Sequence, residues 1–181
     1  MEVYVNADQL YKMGYVYEVG QGVPKNLEIA AEHYQKAALA GHAAAQRKLA
    51  LCYEKGNGVD RDEGKAVFWL QKSAEQGFAQ AQNHLALCYE KGRGVEQDYT
   101  KAVFWLRKAA EQGLAVAQHN LGVFYDKGNG VAKDYDKAID WFRKSALQGN
   151  TTAQWMMGLC HSHSKAPSST VQSYCPAVQI F

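Results

Sequence analysis

Apolar side chains recur along the chain at spacings of three and four residues, a pattern that predicts amphipathic helices. Ala45, Leu49 and Cys52 fall on one face of a first predicted helix. Ala66 and Leu70 fall on one face of a second helix, which follows it closely. The hydrophobic pattern therefore predicts a pair of helices, each with an apolar stripe to bury.

A short turn separates the two predicted helices. Gly56 stands where the end of a helix requires positive φ, and Gly58 is a second permissive turn residue. Asp62 is suited to cap the second helix, and Gly77 ends it. The capping position is filled in the same way elsewhere in the chain, by Asn26, Asp98 and Asp134.

The helix pair is repeated along the chain with a period of 36 residues. The turn motif occurs at 17–23, 53–59, 89–95 and 125–131, and residues 42–77 share 25 of 36 positions with residues 78–113. A single pair cannot bury both of its apolar stripes, so neighbouring copies must stack. The pattern predicts an all-α solenoid of helix-turn-helix repeats.

The repeated positions resemble those of the Sel-one-like repeat (SLR) family, relatives of tetratricopeptide repeats. The fourth copy carries the whole pattern: Ala117, Leu121-Gly122, Tyr125, Gly128-Asn129-Gly130-Val131, Asp134, Lys137-Ala138, Trp141, Lys144-Ser145-Ala146 and Gly149. The resemblance covers residues 6–161, as four full repeats plus one helix of a fifth. It implies a right-handed αα-superhelix that binds other proteins.

Two columns of equivalent residues are expected to pack between repeats. Small residues in the second helices would allow close helix approach, and a bulky column would fill the space between copies. The small column is Ala30, Ala66, Ala102 and Ala138, and the bulky column is His33, Trp69, Trp105 and Trp141.

One column of the first helices differs in every copy, and we predict that it binds a protein or peptide partner. By resemblance to tetratricopeptide geometry this column faces the concave groove. Neutral variation on a solvated surface is the alternative interpretation, and Trp155 has a further one as core left uncovered by a broken repeat. The column is Tyr11, Arg47, Asn83, His119 and Trp155.

Acidic residues recur near the ends of the first helices, with lysines beside most of them. The lysines are expected to offset the helix dipoles, and the acids to form a solvated edge, with selection of a charged peptide by these residues as the alternative. The acids are Glu18, Glu54, Glu90 and Asp126, and the lysines are Lys55, Lys91 and Lys127.

Charge and hydropathy exclude several function classes. With 20 Lys+Arg against 18 Asp+Glu, the net charge of +2 provides no basic field for nucleic acid. No apolar run approaches the length of a membrane span, and no secretory signal is visible at the start. A cytoplasmic chain without membrane or nucleic-acid partners is therefore expected.

The cysteines do not suggest catalysis or a disulfide framework. Cys52, Cys88 and Cys160 are equivalent residues of stacked repeats, farther apart than the roughly 7 Å that a disulfide spans between Cα atoms. A secreted branch of the SLR family carries a cysteine pair in each repeat, and β-lactam hydrolysis has been attributed to some of its members. This chain lacks the pair. We predict a non-enzymatic protein without cofactors, with that hydrolase as the alternative.

Neither a metal site nor a catalytic fingerprint is predicted. Cys160, His161 and His163, with Cys175 downstream, do not have the spacing of zinc ligands. No motif of the P-loop, Rossmann, zinc-protease or serine-hydrolase type occurs in the chain.

The repeat pattern stops after Cys160, and Pro167 and Pro176 argue against a continuous helix in residues 162–181. A flexible tail, an extended cap and a translated frameshift or alternative exon remain open. The fifth repeat lacks its second helix, so Trp155 and Met157 require cover. Self-association through this end is the alternative to a cap formed by the tail through Val178, Ile180 and Phe181.

Overall fold

The structure is a computed structural model that describes the backbone of residues 6–163 and the side chains of residues 6–158. This part of the chain is all-α, with nine helices and no strand, which confirms the predicted fold class. Residues 164–181 of the predicted tail lie outside the described residues. The helices are α1 Ala7–Val19, α2 Leu27–Leu39, α3 Ala43–Lys55, α4 Glu63–Glu75, α5 Ala79–Lys91, α6 Tyr99–Glu111, α7 Ala115–Lys127, α8 Tyr135–Leu147 and α9 Thr151–His163.

Local hydrogen bonds set the helix ends where the sequence predicts them. Each second helix begins at a side chain that accepts a hydrogen bond from the backbone N–H three residues later, at 2.8–3.0 Å. Each complete first helix ends at a glycine with positive φ. The caps are Asn26, Asp62, Asp98 and Asp134, and the glycines are Gly20, Gly56, Gly92 and Gly128.

The helices stack in chain order, each packing chiefly on the next one along the chain. The first helices α1, α3, α5 and α7 are also joined directly by polar side chains, for example Lys48 to Glu18 and Asn120 to Asn83. Helix pairs of about 36 residues thus form a repeat solenoid.

The second glycine of each later turn lies directly against the preceding repeat. A Cβ atom at Gly58 would stand 2.0 Å from the carbonyl oxygen of Leu27, at the start of α2. Gly94 and Gly130 have the same relation to the starts of α4 and α6, at 2.3 and 2.4 Å. All three also have positive φ, so only glycine fits there without moving the backbone. This contact sets the spacing between repeats.

The predicted alanine column is confirmed, and the bulky column packs between repeats at Trp69 and Trp105. The alanines of the second helices, such as Ala66 and Ala102, are buried in the core. Trp69 and Trp105 are half-buried, and each packs against two core clusters that belong to neighbouring repeats. The tryptophans therefore contribute buried area between copies.

The two helices within a repeat are matched in side-chain size. In the fourth repeat, Gly122 receives the ring of Phe142, and a Cβ atom there would lie 2.7 Å from that ring. In the second repeat, Ala50 and Leu70 occupy the equivalent positions, and both are fully buried. A glycine facing an aromatic ring and an alanine facing a leucine thus fill the same space between the two helices.

We expect Gly122→Ala to destabilise the protein, because the added methyl group overlaps a ring that is itself fully buried. Overpacking of this kind costs about 1–3 kcal/mol in the free energy of unfolding. The double variant Gly122→Ala/Phe142→Leu reproduces the pair found in the second repeat and should recover most of the loss. Urea unfolding measures all three proteins, and additive losses in the double variant would contradict the size match.

Candidate partner-binding surface

A row of carboxylates runs along the first helices, one near the end of each, and we call it the carboxylate row: Glu18, Glu54, Glu90 and Asp126. The repeat spacing places each of them beside the sixth residue of the next first helix. That neighbour differs in every repeat, being Lys48, His84, Asn120 and Met156 in turn. The electrostatic surroundings of the row therefore change along the array.

Glu18 is fully paired at the N-terminal end of the row. Lys48 Nζ lies 2.7 Å from its carboxylate, and the Tyr34 hydroxyl donates a short hydrogen bond to the same oxygen. Burial acts to raise the pKa of Glu18, but the hydrogen bonds from Lys48 and Tyr34 lower it below its ordinary value. Burial and the bond to Glu18 raise the pKa of Tyr34. The Glu18 carboxylate thus links two repeats.

Glu54 is paired in a different way. His84 Nε2 and Arg93 Nη1 lie 3.0 and 2.8 Å from its two oxygens. Burial lowers the pKa of His84, although Glu54 opposes this shift. The interpretation of the row as a solvated edge is therefore wrong at Glu18 and Glu54, because side chains about 30 and 39 residues away reach them. In the sequence, the only sign of these ion pairs is that the residue beside each acid differs from one repeat to the next.

Glu90 and Asp126 form no ion pair within residues 6–158. Asn120, which stands where Lys48 and His84 stand in earlier repeats, donates instead to Asn83 Oδ1 at 2.9 Å. Burial raises the pKa of Asp126, with Lys133 and Lys127 opposing the shift. The C-terminal half of the row therefore holds two partly buried carboxylates without an ion-pair partner.

The column predicted to bind a partner is only partly exposed. Asn83 and His119 are buried, with exposed fractions of 9% and 4%, so the expectation of a surface column is wrong at these two positions. Asn83 accepts a hydrogen bond from Asn120 of the next repeat, and the ring of His119 lies 5.5 Å from that of Phe142 on the facing helix α8. Side chains that vary between repeats can thus be packing residues.

The other members of the column are more accessible. Tyr11 stacks on the ring of His42 at 4.7 Å and is half-buried, as is Arg47. Trp155 is 50% exposed. The binding role of the column remains a prediction, now confined to Tyr11, Arg47 and Trp155.

Metal-ligating and nucleophilic groups are sparse in this region. Among the described residues, no three His, Cys, Asp or Glu side chains are grouped so as to hold a metal ion. Cys52 and Cys88 are free and buried, and burial raises the pKa of each thiol to about 11. None of the helices within 6–163 has both the length and the apolar character needed to cross a membrane.

Stacked helix pairs joined by capped glycine turns define a repeat protein of the α-solenoid class. A family model for the Sel1 repeat matches residues 10–42, 43–78, 79–114, 115–150 and 151–171, and the chain belongs to this family. This confirms the resemblance found in the sequence. No curated protein matches the chain.

Solved structures agree with this assignment. The chain is similar to c5321, a protective antigen of uropathogenic Escherichia coli strains that displays an SLR fold, with 37% identity, a TM-score of 0.85 and coverage of 88% of this chain and 34% of that one. The chain is also similar to a Sel1 repeat protein from Oxalobacter formigenes, with 40% identity, a TM-score of 0.81 and coverage of 86% of this chain and 64% of that one. The chain thus spans less than two thirds of either relative. The cysteine-rich protein B of Helicobacter pylori has the same fold, at 25% identity, a TM-score of 0.59 and coverage of 76% and 98%.

We expect the stability of the protein to fall below about pH 6.5, and His119→Asn to reduce that dependence. Burial lowers the pKa of His119 from the ordinary value of 6.5, so below that pH the unfolded chain binds more protons than the folded one. One such group contributes at most about 1.4 kcal/mol per pH unit. Asn83 shows that the repeat accepts asparagine at this position.

Urea unfolding between pH 5 and 8 measures the effect, with the free energy of unfolding compared at each pH. His84 and His33 also have lowered pKa values, so the variant should show a shallower slope rather than none. Parallel curves for the two proteins would contradict the assignment to His119.

Proposed function

We propose that this protein is a non-enzymatic scaffold of the cytoplasm that binds a segment of another protein on the surface of its first helices. The observation that carries the proposal is the carboxylate row. Its first two members are neutralised within the array, and Glu90 and Asp126 have no ion-pair partner in the described part of the chain. The packing positions meanwhile stay almost the same in all copies.

The electrostatics favour a basic partner segment. A partly buried carboxylate that forms no ion pair pays a desolvation cost, which a bound lysine or arginine offsets. At Asp126 burial raises the pKa, and the opposing charges of Lys133 and Lys127 do not cancel this effect. Glu90 and Asp126 stand one repeat apart, so a segment that follows the array can place one basic side chain at each of them.

Trp155 supplies an apolar contact at the same end of the array. It is 50% exposed, and it directly precedes Met156, the residue in register with Asp126. Exposed tryptophans are over-represented among the residues that dominate binding energy. A partner segment with basic residues and a large apolar residue would match this end of the surface.

The buried cysteines argue against hydrolysis by a cysteine nucleophile. A nucleophilic cysteine reacts as a thiolate, and burial raises the pKa of Cys52 and Cys88 to about 11, well above neutral pH. Free thiols at these positions are also typical of a reducing compartment.

We expect Glu90→Gln/Asp126→Asn to weaken capture of the partner at least about five-fold, the effect of losing a hot spot. The variant should melt like the wild-type protein, because neither carboxylate makes an ion pair that the substitution would break. Affinity purification from cell extract with quantitative mass spectrometry measures the change, protein by protein.

Glu111→Gln/Asp136→Asn is the matched control, because neither of these carboxylates forms an ion pair within residues 6–158. It removes the same two charges from exposed positions of the second helices α6 and α8 and should leave capture unchanged. Equal capture by all three proteins, or equal losses in both variants, would contradict a site at the carboxylate row.

Self-assembly through the C-terminal end is the second candidate, and the half-exposed indole of Trp155 favours it. If copies associate there, the apparent mass should rise with concentration in light scattering, and Trp155→Glu should return the protein to monomer. A wild-type protein that stays monomeric across the concentration range would exclude this candidate and leave the scaffold proposal in place.

A further inference from the structure

Two phenylalanines of the second helices face solvent at equivalent positions. Phe68 on α4 and Phe104 on α6 are 52% and 51% exposed. In the first and fourth repeats the same position holds Glu32 and Asp140, both exposed. The repeat therefore folds with an acid at this position, and the two rings are not required by the core.

Each ring is held in place by the tryptophan that follows it. Phe68 meets Trp69 edge to face, with ring centroids 5.2 Å apart, and Phe104 meets Trp105 in the same way at 5.0 Å. The tryptophans pack against core clusters on their other side. The exposed rings are thus preorganised, and binding to them costs little side-chain entropy.

A lysine lies over each ring. Lys72 Nζ is 5.7 Å from the centroid of Phe68, and Lys108 Nζ is 4.6 Å from that of Phe104. Neither lysine forms an ion pair within residues 6–158, although Glu75 and Glu111 follow one turn later. These ammonium groups are available to an anionic group from outside. We call Phe68, Lys72, Phe104 and Lys108 the phenylalanine–lysine surface.

The charge on this surface discriminates between occupants. In a two-fold pairing of two copies about an axis between α4 and α6, Lys72 would meet Lys108 of the other copy, and like charges in contact are unfavourable. Residues 164–181 of this chain contain one lysine and no acid, so that segment does not complement the lysines. An acidic segment of a partner protein complements both lysines.

We propose that the phenylalanine–lysine surface binds an acidic segment of a partner protein that also carries large apolar side chains. The apolar side chains cover Phe68 and Phe104, and the carboxylates bind Lys72 and Lys108. Because the two halves of the surface are equivalent and one repeat apart, such a segment makes the same contact twice. This site is separate from the carboxylate row, whose side chains have the opposite charge.

A phage-displayed library of random 12-residue peptides tests the proposal. It is selected on the full chain and counter-selected on Phe68→Glu/Phe104→Glu, which copies the acids of the first and fourth repeats and so should fold normally. Enriched peptides should combine Asp or Glu with aromatic or aliphatic residues. A synthetic copy should bind the wild-type protein at least about ten-fold more tightly than that variant in fluorescence polarisation.

Three further variants test which residues the synthetic peptide contacts. Lys72→Ala/Lys108→Ala should weaken binding of the synthetic peptide several-fold and reduce its dependence on salt. Leu39→Glu/Leu147→Glu removes two more exposed apolar residues from second helices, again by copying other repeats, and should bind like wild type. Glu90→Gln/Asp126→Asn should also bind like wild type, which separates this site from the proposed function.

Four outcomes would overturn the proposal. The first two are a library that yields no peptide and a library that enriches basic peptides. The third is a dimer in sedimentation velocity that Phe68→Glu/Phe104→Glu dissolves. The fourth is binding to phosphatidylserine vesicles that the same variant abolishes, without any peptide binding. The last two would assign the surface to a second copy or to an anionic lipid surface instead.

Discussion

The stacking of this solenoid depends on the contact between one turn glycine and the backbone of the preceding repeat. At Gly58, Gly94 and Gly130 the Cα atom lies so close to a carbonyl group that no side chain fits, and the positive φ excludes other residues as well. Because this contact recurs unchanged, successive helix pairs keep one spacing. The tryptophans that bridge core clusters and the side chains that reach across repeats all rely on that spacing.

Because the spacing between repeats is constant, a different residue type in one repeat changes the local chemistry there without moving the backbone. Along the carboxylate row, the neighbour of the acid changes from lysine to histidine to asparagine to methionine, while the backbone geometry stays the same. Ion pairs therefore join the acids of the N-terminal half of the row to the next repeat, and Glu90 and Asp126 form no ion pair within residues 6–158. Along the second helices, Phe68 and Phe104 occupy the position that Glu32 and Asp140 hold in the other repeats, and all four side chains are exposed. Repeats that are equivalent in packing are thus different in what they present to a partner.

The two proposed surfaces lie on different sets of helices and present opposite charges. The first helices present Glu90 and Asp126, which favour cations, and the second helices present Lys72 and Lys108 over aromatic rings, which favour anions and apolar groups. A scaffold with two such surfaces can hold two segments at once, because no residue belongs to both. Family membership and fold are established by the repeat match and by the solved relatives, and binding at these surfaces is our proposal.

The amino-acid sequence by itself determined the helix pairs, their caps, the period and the family, because these depend on residues a few positions apart. Asp62 bonds to a backbone group three residues away, and Gly56 acts through its own φ. Tertiary structure alone decided that Asn83 and His119 are buried and that Glu54 meets Arg93. The contacts of Glu54 and Asn83 join side chains 39 and 37 residues apart, and His119 packs on Phe142 of the facing helix, so these outcomes are fixed only when the helices pack together.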